Sequence, residues 1–143
     1  MPSTNVLIVD DEEDFANALA ERMNNRGLQA DVAFTGEAAL EAVESKPYDA
    51  VVLDLAMPGM DGIETLKRML AFNADLQVII LTGKATVKKG VEAVKEGAFE
   101  FLEKPVRFDT LVEKINIAKS RASTLTEERL NDMIDEIMKR RGW

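Results

Sequence analysis

Short apolar runs recur along this chain, separated by longer stretches with helical patterning, and residues capable of chemistry stand at their ends. Asp10 and Asp11 close Val6-Leu7-Ile8-Val9, and Asp54 closes Ala50-Val51-Val52-Leu53. Thr82 ends Val78-Ile79-Ile80-Leu81, and Lys104-Pro105 follows Phe99-Glu100-Phe101-Leu102. Runs this short and this rich in β-branched residues read as strands buried on both faces, the usual condition in a parallel sheet. In an open parallel sheet the strand C-termini point to one crevice, where ligands bind at the switch in strand order. Carboxylates converging there repel one another unless a cation is held between them. Asp10, Asp11 and Asp54 therefore read as a Mg2+ site built around one reactive carboxylate.

The stretches between the runs carry helical spacing. Acidic residues open a helix with apolar Phe15, Leu19 and Met23 at every fourth position, and Gly27 supplies the left-handed residue that stops it. Ala30 to Phe34 reads as a weaker strand, and Glu37 to Ser45 as a helix with Leu40 and Val43 on one face, ended before Pro47. The turn-rich Met57-Pro58-Gly59-Met60-Asp61-Gly62 leads into a third helix marked by Ile63, Leu66 and Leu70. Gln77 to Leu81 is the fourth strand. Val87, Val91 and Val94 mark a fourth helix ended by Gly97, with Gly90 as a soft spot inside it. Phe99 to Leu102 is the fifth strand, and Leu111, Val112, Ile115 and Ala118 mark a fifth helix. Five strands alternating with five helices predict an α/β fold of parallel βαβ units with helices on both faces of the sheet.

Past Ser120 the pattern changes. Arg121-Ala122-Ser123-Thr124 reads as a break, dividing the chain into a domain over 1–120 and a helical extension over 121–143. Thr124 and Glu127 have capping-box spacing for a separate helix. On it Leu130, Ile134, Ile137 and Met138 make an apolar stripe, and Lys139-Arg140-Arg141 suits its C-terminal end. A tail this short has no core of its own. Its stripe is expected to bury against a second copy of the chain, as a homodimer, or against the fifth helix.

Composition narrows the chemistry. The 143 residues fit one domain with a continuous core, and a formal net charge of −8 argues against a direct nucleic-acid partner. Without cysteine, disulfides and thiolate metal sites are excluded; without histidine, zinc would find only carboxylates, so Mg2+ is the better candidate. There is no basic leader, and no apolar run approaches the roughly 20 residues of a membrane-spanning helix. A cytoplasmic address with no membrane partner is expected by elimination.

Each candidate residue also has an ordinary reading. Carboxylates from Asp10 to Glu13 are favourable simply as cap and dipole partners of the helix they precede. What adds weight is Asp54, which neighbouring parallel strands would bring into the same pocket. Asp54 lacks a local ion-pair partner, being followed by Leu55, Ala56, Met57 and Pro58, and a carboxylate ending a buried strand needs a cation or a donor. Lys104 can supply one, its direction restricted by Pro105, although most lysines are surface residues. Thr82 is commonly a β-former or a helix cap in such a place, but its hydroxyl could donate to an anionic oxygen in the pocket.

Taken in order, Val6-Leu7-Ile8-Val9-Asp10-Asp11, Asp54 with Met57-Pro58-Gly59-Met60-Asp61-Gly62, Leu81-Thr82-Gly83 and Leu102-Glu103-Lys104-Pro105 resemble the receiver domain of two-component response regulators. The likeness runs from Asn5 to Ser120. It implies a flavodoxin-like fold, a doubly wound five-stranded parallel sheet in the order 2-1-3-4-5 with five helices. It also implies a signalling switch in which Asp54 accepts a phosphoryl group from the phosphohistidine of a sensor histidine kinase or phosphotransfer protein. Asp10 and Asp11 match the acids that hold Mg2+, with Asp54 and the backbone carbonyl of Ala56 completing the protein's share. Lys104 matches the lysine that pairs with phosphoryl oxygens, and Thr82 the hydroxyl that bonds one after phosphorylation. Phe101 matches the aromatic switch position that moves with Thr82, and Lys104-Pro105 a peptide bond that is typically cis. The resemblance implies no enzyme acting on a separate substrate: such a domain catalyses only its own phosphorylation and dephosphorylation. Its output is contact with a downstream protein or phosphorelay, through the fourth helix, fifth strand and fifth helix.

The chain departs from that pattern in places. Phe101 lacks the hydroxyl of the Tyr often found there, so no phenolic hydrogen bond holds it outward. Ala56 offers nothing to position an attacking water, while Lys84 could reach the phosphoryl group. Lys84, Lys88 and Lys89 form a basic cluster, more ordinarily a solvated helix face than a docking patch. Leu81 to Val106 looks most like receivers ahead of enhancer-binding ATPases, which makes a fragment of a larger transcriptional regulator the alternative; no P-loop or helix-turn-helix follows in these residues. A haloacid-dehalogenase-type phosphatase also uses an Asp nucleophile, Mg2+, Thr and Lys, but it needs a second Asp where Ala56 stands. A flavodoxin-like carrier needs a phosphate loop where Asp10 to Glu13 would repel phosphate.

Overall fold

Strands that are apolar on both faces must be covered on both, and alternate residues of each strand supply the two surfaces. The computed structural model describes residues 3–57, 61–83 and 86–142. Its parallel strands β1 (Asn5–Val9), β2 (Gln29–Ala33), β3 (Ala50–Leu53), β4 (Val78–Thr82) and β5 (Glu100–Glu103) stand in the order β2-β1-β3-β4-β5. They alternate with α1 (Glu13–Asn25), α2 (Gly36–Ser45), α3 (Gly62–Phe72), α4 (Val87–Lys95) and α5 (Phe108–Arg140). This is the flavodoxin-like order expected. Val6, Ile8, Val52, Ile79 and Leu81 face α1 and α5, while Leu7, Val9, Val51, Leu53, Val78 and Ile80 face α2, α3 and α4. Pro58, Gly59 and Met60 of the turn read from the sequence, and Lys84 of the basic cluster, lie outside the described residues.

Helix ends follow local chemistry. Gly27 has φ +93°, letting Leu28 N–H reach the Met23 carbonyl at 3.0 Å and Gly27 N–H reach Asn24 at 3.1 Å. Gly97, at φ +117°, closes α4 with the same pair of bonds to Ala93 and Val94. Both are glycine-ended caps that spend carbonyls a helix would otherwise leave open. Thr35 and Asp61 cap α2 and α3, accepting from the amides of Ala38 and Glu64.

The structure corrects the sequence reading at two helices. On α4 two of the three valines that mark the helix lie off the core: Val91 is 50% and Val94 43% exposed, while Gly90 and Ala93 are buried. The Phe101 ring explains it, because a Cβ on Gly90 would come within 2.4 Å of that ring. Gly90 is thus a seat for an aromatic ring rather than a soft spot. The second correction is the expected break at Arg121 to Thr124, which does not occur; α5 is one helix of 33 residues. The hydroxyls of Ser123, Thr124 and Thr126 donate to the carbonyls of Lys119, Ser120 and Ala122, four residues back, and so remain satisfied inside the helix. Thr124 is therefore no cap. Farther on, the Arg129 guanidinium forks onto Asp75 in the loop before β4, one of its bonds being 2.7 Å. The stripe of Leu130, Ile134, Ile137 and Met138, joined by Met133, is exposed. It does not bury against the fifth helix, because it is part of that helix.

Candidate functional site

Strand register brings the acids together. Val9 of β1 pairs with Leu53 of β3, so the residues one step beyond, Asp10 and Asp54, leave adjacent strands side by side. The Asp54 amide donates to the Val9 carbonyl at 2.9 Å, extending that register one residue past the strand end. Behind Asp54 the backbone is held close to α3: a Cβ on Gly62 would stand 2.3 Å from Leu55 Cα. No side chain fits there, so the start of α3 packs directly on the Leu55 backbone. On the other side Thr82 pairs with Glu103 across β4 and β5, and the Lys104 amide donates to the Thr82 carbonyl at 2.8 Å.

Asp10, Asp11 and Asp54 each offer a carboxylate oxygen, and these lie within 4.8 Å of one another. Asp10 and Asp54 are buried, and Asp11 is the more open of the three. Lys104 Nζ sits 2.9 Å from Asp10 Oδ2 and 3.8 Å from Asp54 Oδ2, with the Phe15 ring 4.3 Å away. Asp10 Oδ1 accepts from the Glu12 amide at 3.0 Å. Asp54 Oδ1 accepts from the Ala56 amide at 3.1 Å and from Thr82 Oγ1 at 2.7 Å. Burial raises the Asp10 carboxyl above its ordinary range, against the pull of the Lys104 hydrogen bond and the Glu12 amide. Burial also works against the Lys104 ammonium, but the Asp10 hydrogen bond and the charges of Asp10, Asp54 and Glu12 outweigh it and hold its pKa up. One ammonium thus faces three carboxylates gathered in one pocket. An all-oxygen set of this kind suits a hard divalent cation, and these residues fit Mg2+.

Residues 6–116 match the response regulator receiver domain. The chain belongs to that family. The receiver is 37% identical over 123 residues to the transcriptional regulatory protein ZraR of Klebsiella oxytoca, covering 86% of this chain and 27% of the relative. It is 39% identical over 114 residues to a putative NtrX-like response regulator of Rickettsia bellii, covering 78% and 24%. The chain therefore spans about a quarter of the length of these curated relatives. Among solved structures, the Francisella response regulator 1452 receiver domain superposes with a TM-score of 0.76 at 33% identity, over 83% of this chain and 98% of that one. NtrX from Brucella abortus in complex with ADP gives a TM-score of 0.83 at 27% identity, over 90% of this chain and 30% of that one.

Of the residues read from the sequence, Asp10, Asp11, Asp54, Thr82 and Lys104 come together at this end of the receiver's sheet, while Phe101 lies inside β5. Ala56 is exposed in the turn after β3, and the Lys104–Pro105 peptide bond is cis. Phe101 is half-buried with its ring against Gly90. Two neighbours escaped the sequence reading. Phe15 looked like an ordinary core position, yet its ring lies under the Lys104 ammonium. Thr86, which carried no signal beyond its spacing, hydrogen-bonds Thr82.

Proposed function

We propose that this receiver is switched by a phosphoryl group that Asp54 takes from a phosphohistidine on a sensor histidine kinase or phosphotransfer protein. The observation that carries the reading is the position of Asp54. It stands beside Asp10 and Asp11 on one side, with Thr82 bonded to Oδ1 and Lys104 near Oδ2. Among the described residues Oδ2 accepts no hydrogen bond, and it is the oxygen left to attack phosphorus. As the Oδ2–P bond forms, the N–P bond of the donor breaks and the histidine nitrogen takes up the electron pair. Such transfer depends on positioning and charge neutralisation more than on covalent steps by the protein.

Asp10, Asp11, the Asp54 carboxylate and the Ala56 carbonyl would hold Mg2+. When bound, the cation supplies charge neutralisation at the transferring oxygens. Lys104, 3.8 Å from Asp54 Oδ2, would pair with the phosphoryl group. The acyl phosphate carries about two negative charges, which draws Thr82 and Lys104 inward. Phe101, packed on Gly90 of α4, would repack with Thr82 and carry the change to the α4–β5–α5 face.

The names and lengths of the relatives support a second reading alongside the first, in which this receiver serves a larger transcriptional regulator. In either case the extension beyond residue 120 acts as a projecting arm of α5, whose exposed stripe is covered by a second copy of the chain. The decisive experiment for the site is phosphodonor labelling. Wild type should take one base-labile phosphoryl group, and Asp54→Asn should take none. Retained label in that variant would move the acceptor elsewhere.

A further inference from the structure

Thr86 is the N-cap residue of α4, yet its side chain caps nothing in that helix. A threonine in that place ordinarily turns its oxygen onto the amide two or three residues ahead. Here the hydroxyl turns back: Thr86 Oγ1 lies 2.6 Å from Thr82 Oγ1 and 2.9 Å from the Gly83 carbonyl. Thr82 Oγ1 in turn is 2.7 Å from Asp54 Oδ1. These contacts connect the carboxylate of Asp54 to the N-cap of α4 through two hydroxyls.

The protons available do not fill every contact. An ionised carboxylate and a peptide carbonyl only accept, while each hydroxyl brings one proton. Three contacts therefore share two protons. When Thr82 donates to Asp54, Thr86 must donate to Thr82, and the Gly83 carbonyl keeps only the Thr86 amide, 3.1 Å away. When Thr86 instead donates to Gly83, Thr82 has to donate to Thr86, and Asp54 Oδ1 keeps only the Ala56 amide. Filling both outer contacts together would leave two oxygens 2.6 Å apart with no proton between them.

We propose that Thr86 is a positioning residue that makes the start of α4 respond to the phosphoryl state of Asp54, an inference that rests on the phosphoacceptor reading. Added anionic oxygens on Asp54 fix the Thr82 proton toward the pocket. Thr86 is then committed to Thr82, and its bond to Gly83 is released. The first turn of α4, with Phe101 seated on Gly90 one turn further along, is held differently in the two states. The coupling passes through hydroxyl protons, so a side chain of the same shape without a hydroxyl breaks it and serine retains it.

The test uses the full chain as wild type, Thr86→Val and Thr86→Ser, loaded with a small acyl phosphate and Mg2+. Label on Asp54 is counted, and amide hydrogen exchange is read over residues 86–90 before and after loading. Wild type and Thr86→Ser are expected to change exchange at the first turn of α4 by about tenfold, the scale of one hydrogen bond. Thr86→Val is expected to take the same label and lose that response. A response in Thr86→Val equal to wild type overturns the coupling, as does labelled wild type with no change at α4. Failure of wild type to take label on Asp54 would overturn the phosphoacceptor reading itself, and this one with it.

Discussion

Asp11 is the acid whose removal isolates the metal question. Asp10 is tied to Lys104 and to the Glu12 amide, and Asp54 to Thr82 and Ala56, whereas the Asp11 carboxylate has no protein partner among the described residues. Deleting Asp10 would leave Lys104 facing Asp54 alone and confuse metal loss with a broken ion pair. Asp11→Ala removes a ligand and leaves that pair in place. Mg2+ should raise the wild-type melting temperature by linkage. In Asp11→Ala its affinity should fall by at least about tenfold, ~1.4 kcal/mol, while stability in chelator stays close to wild type. Equal Mg2+ titrations for the two proteins would place the cation elsewhere. Phe15 belongs to this scale as well, since its ring gives the half-buried Lys104 ammonium a favourable face that no carboxylate has to supply.

At the scale of elements, Gly90 and Phe101 form a unit joining α4 to β5. Alanine at position 90 would gain about 1 kcal/mol of helix propensity. It would also drive its methyl group into the Phe101 ring, and overpacking of that kind costs roughly 1–3 kcal/mol. Gly90→Ala should therefore destabilise the wild-type chain or leave it level, and stabilise a Phe101→Ala background. Denaturant melts of the four proteins in this cycle measure the coupling directly; the same change in both backgrounds would mean that ring and helix do not touch. The strands and the pocket were legible because their signals are local: unbroken apolar runs mark doubly buried strands, and Asp10, Asp54, Thr82 and Lys104 stand at or just beyond their ends. The face of α4 was not legible, because its rotation is set by an aromatic ring on β5 distant in sequence. Likewise α5 looked broken at Ser123 and Thr124 on propensity alone, whereas back-bonded hydroxyls let the helix run through.

For the molecule as a whole, the long α5 is the feature that a receiver sheet does not require. Its 33 residues extend about 50 Å at 1.5 Å per residue. The buried positions Leu111, Ile115 and Ala118 hold its first part on the sheet. The half-buried Ala122 and Leu125, with Arg129 forked onto Asp75, carry the packed side farther. Leu130, Ile134 and Ile137 then recur at intervals of four and three on a different side of the helix, flanked by Met133 and Met138, with Asp132, Asp135, Glu136 and Lys139 around the remainder. That spacing is the seam of a helix pair, in which each copy supplies the other's cover. Wild type should therefore show a concentration-dependent mass of two chains by sedimentation, and the paired substitution Ile134→Glu with Ile137→Glu should return it to one. Because these side chains are exposed and lie off the sheet, the same substitutions should leave the receiver's unfolding within about 0.5 kcal/mol of monomeric wild type. A wild-type mass of one chain up to about 1 mM, where even ~4 kcal/mol of association registers, would sink the pairing. A dimer that survives both substitutions would instead move it to other exposed apolar side chains of α4 and α5, Val91, Val94 and Ile117.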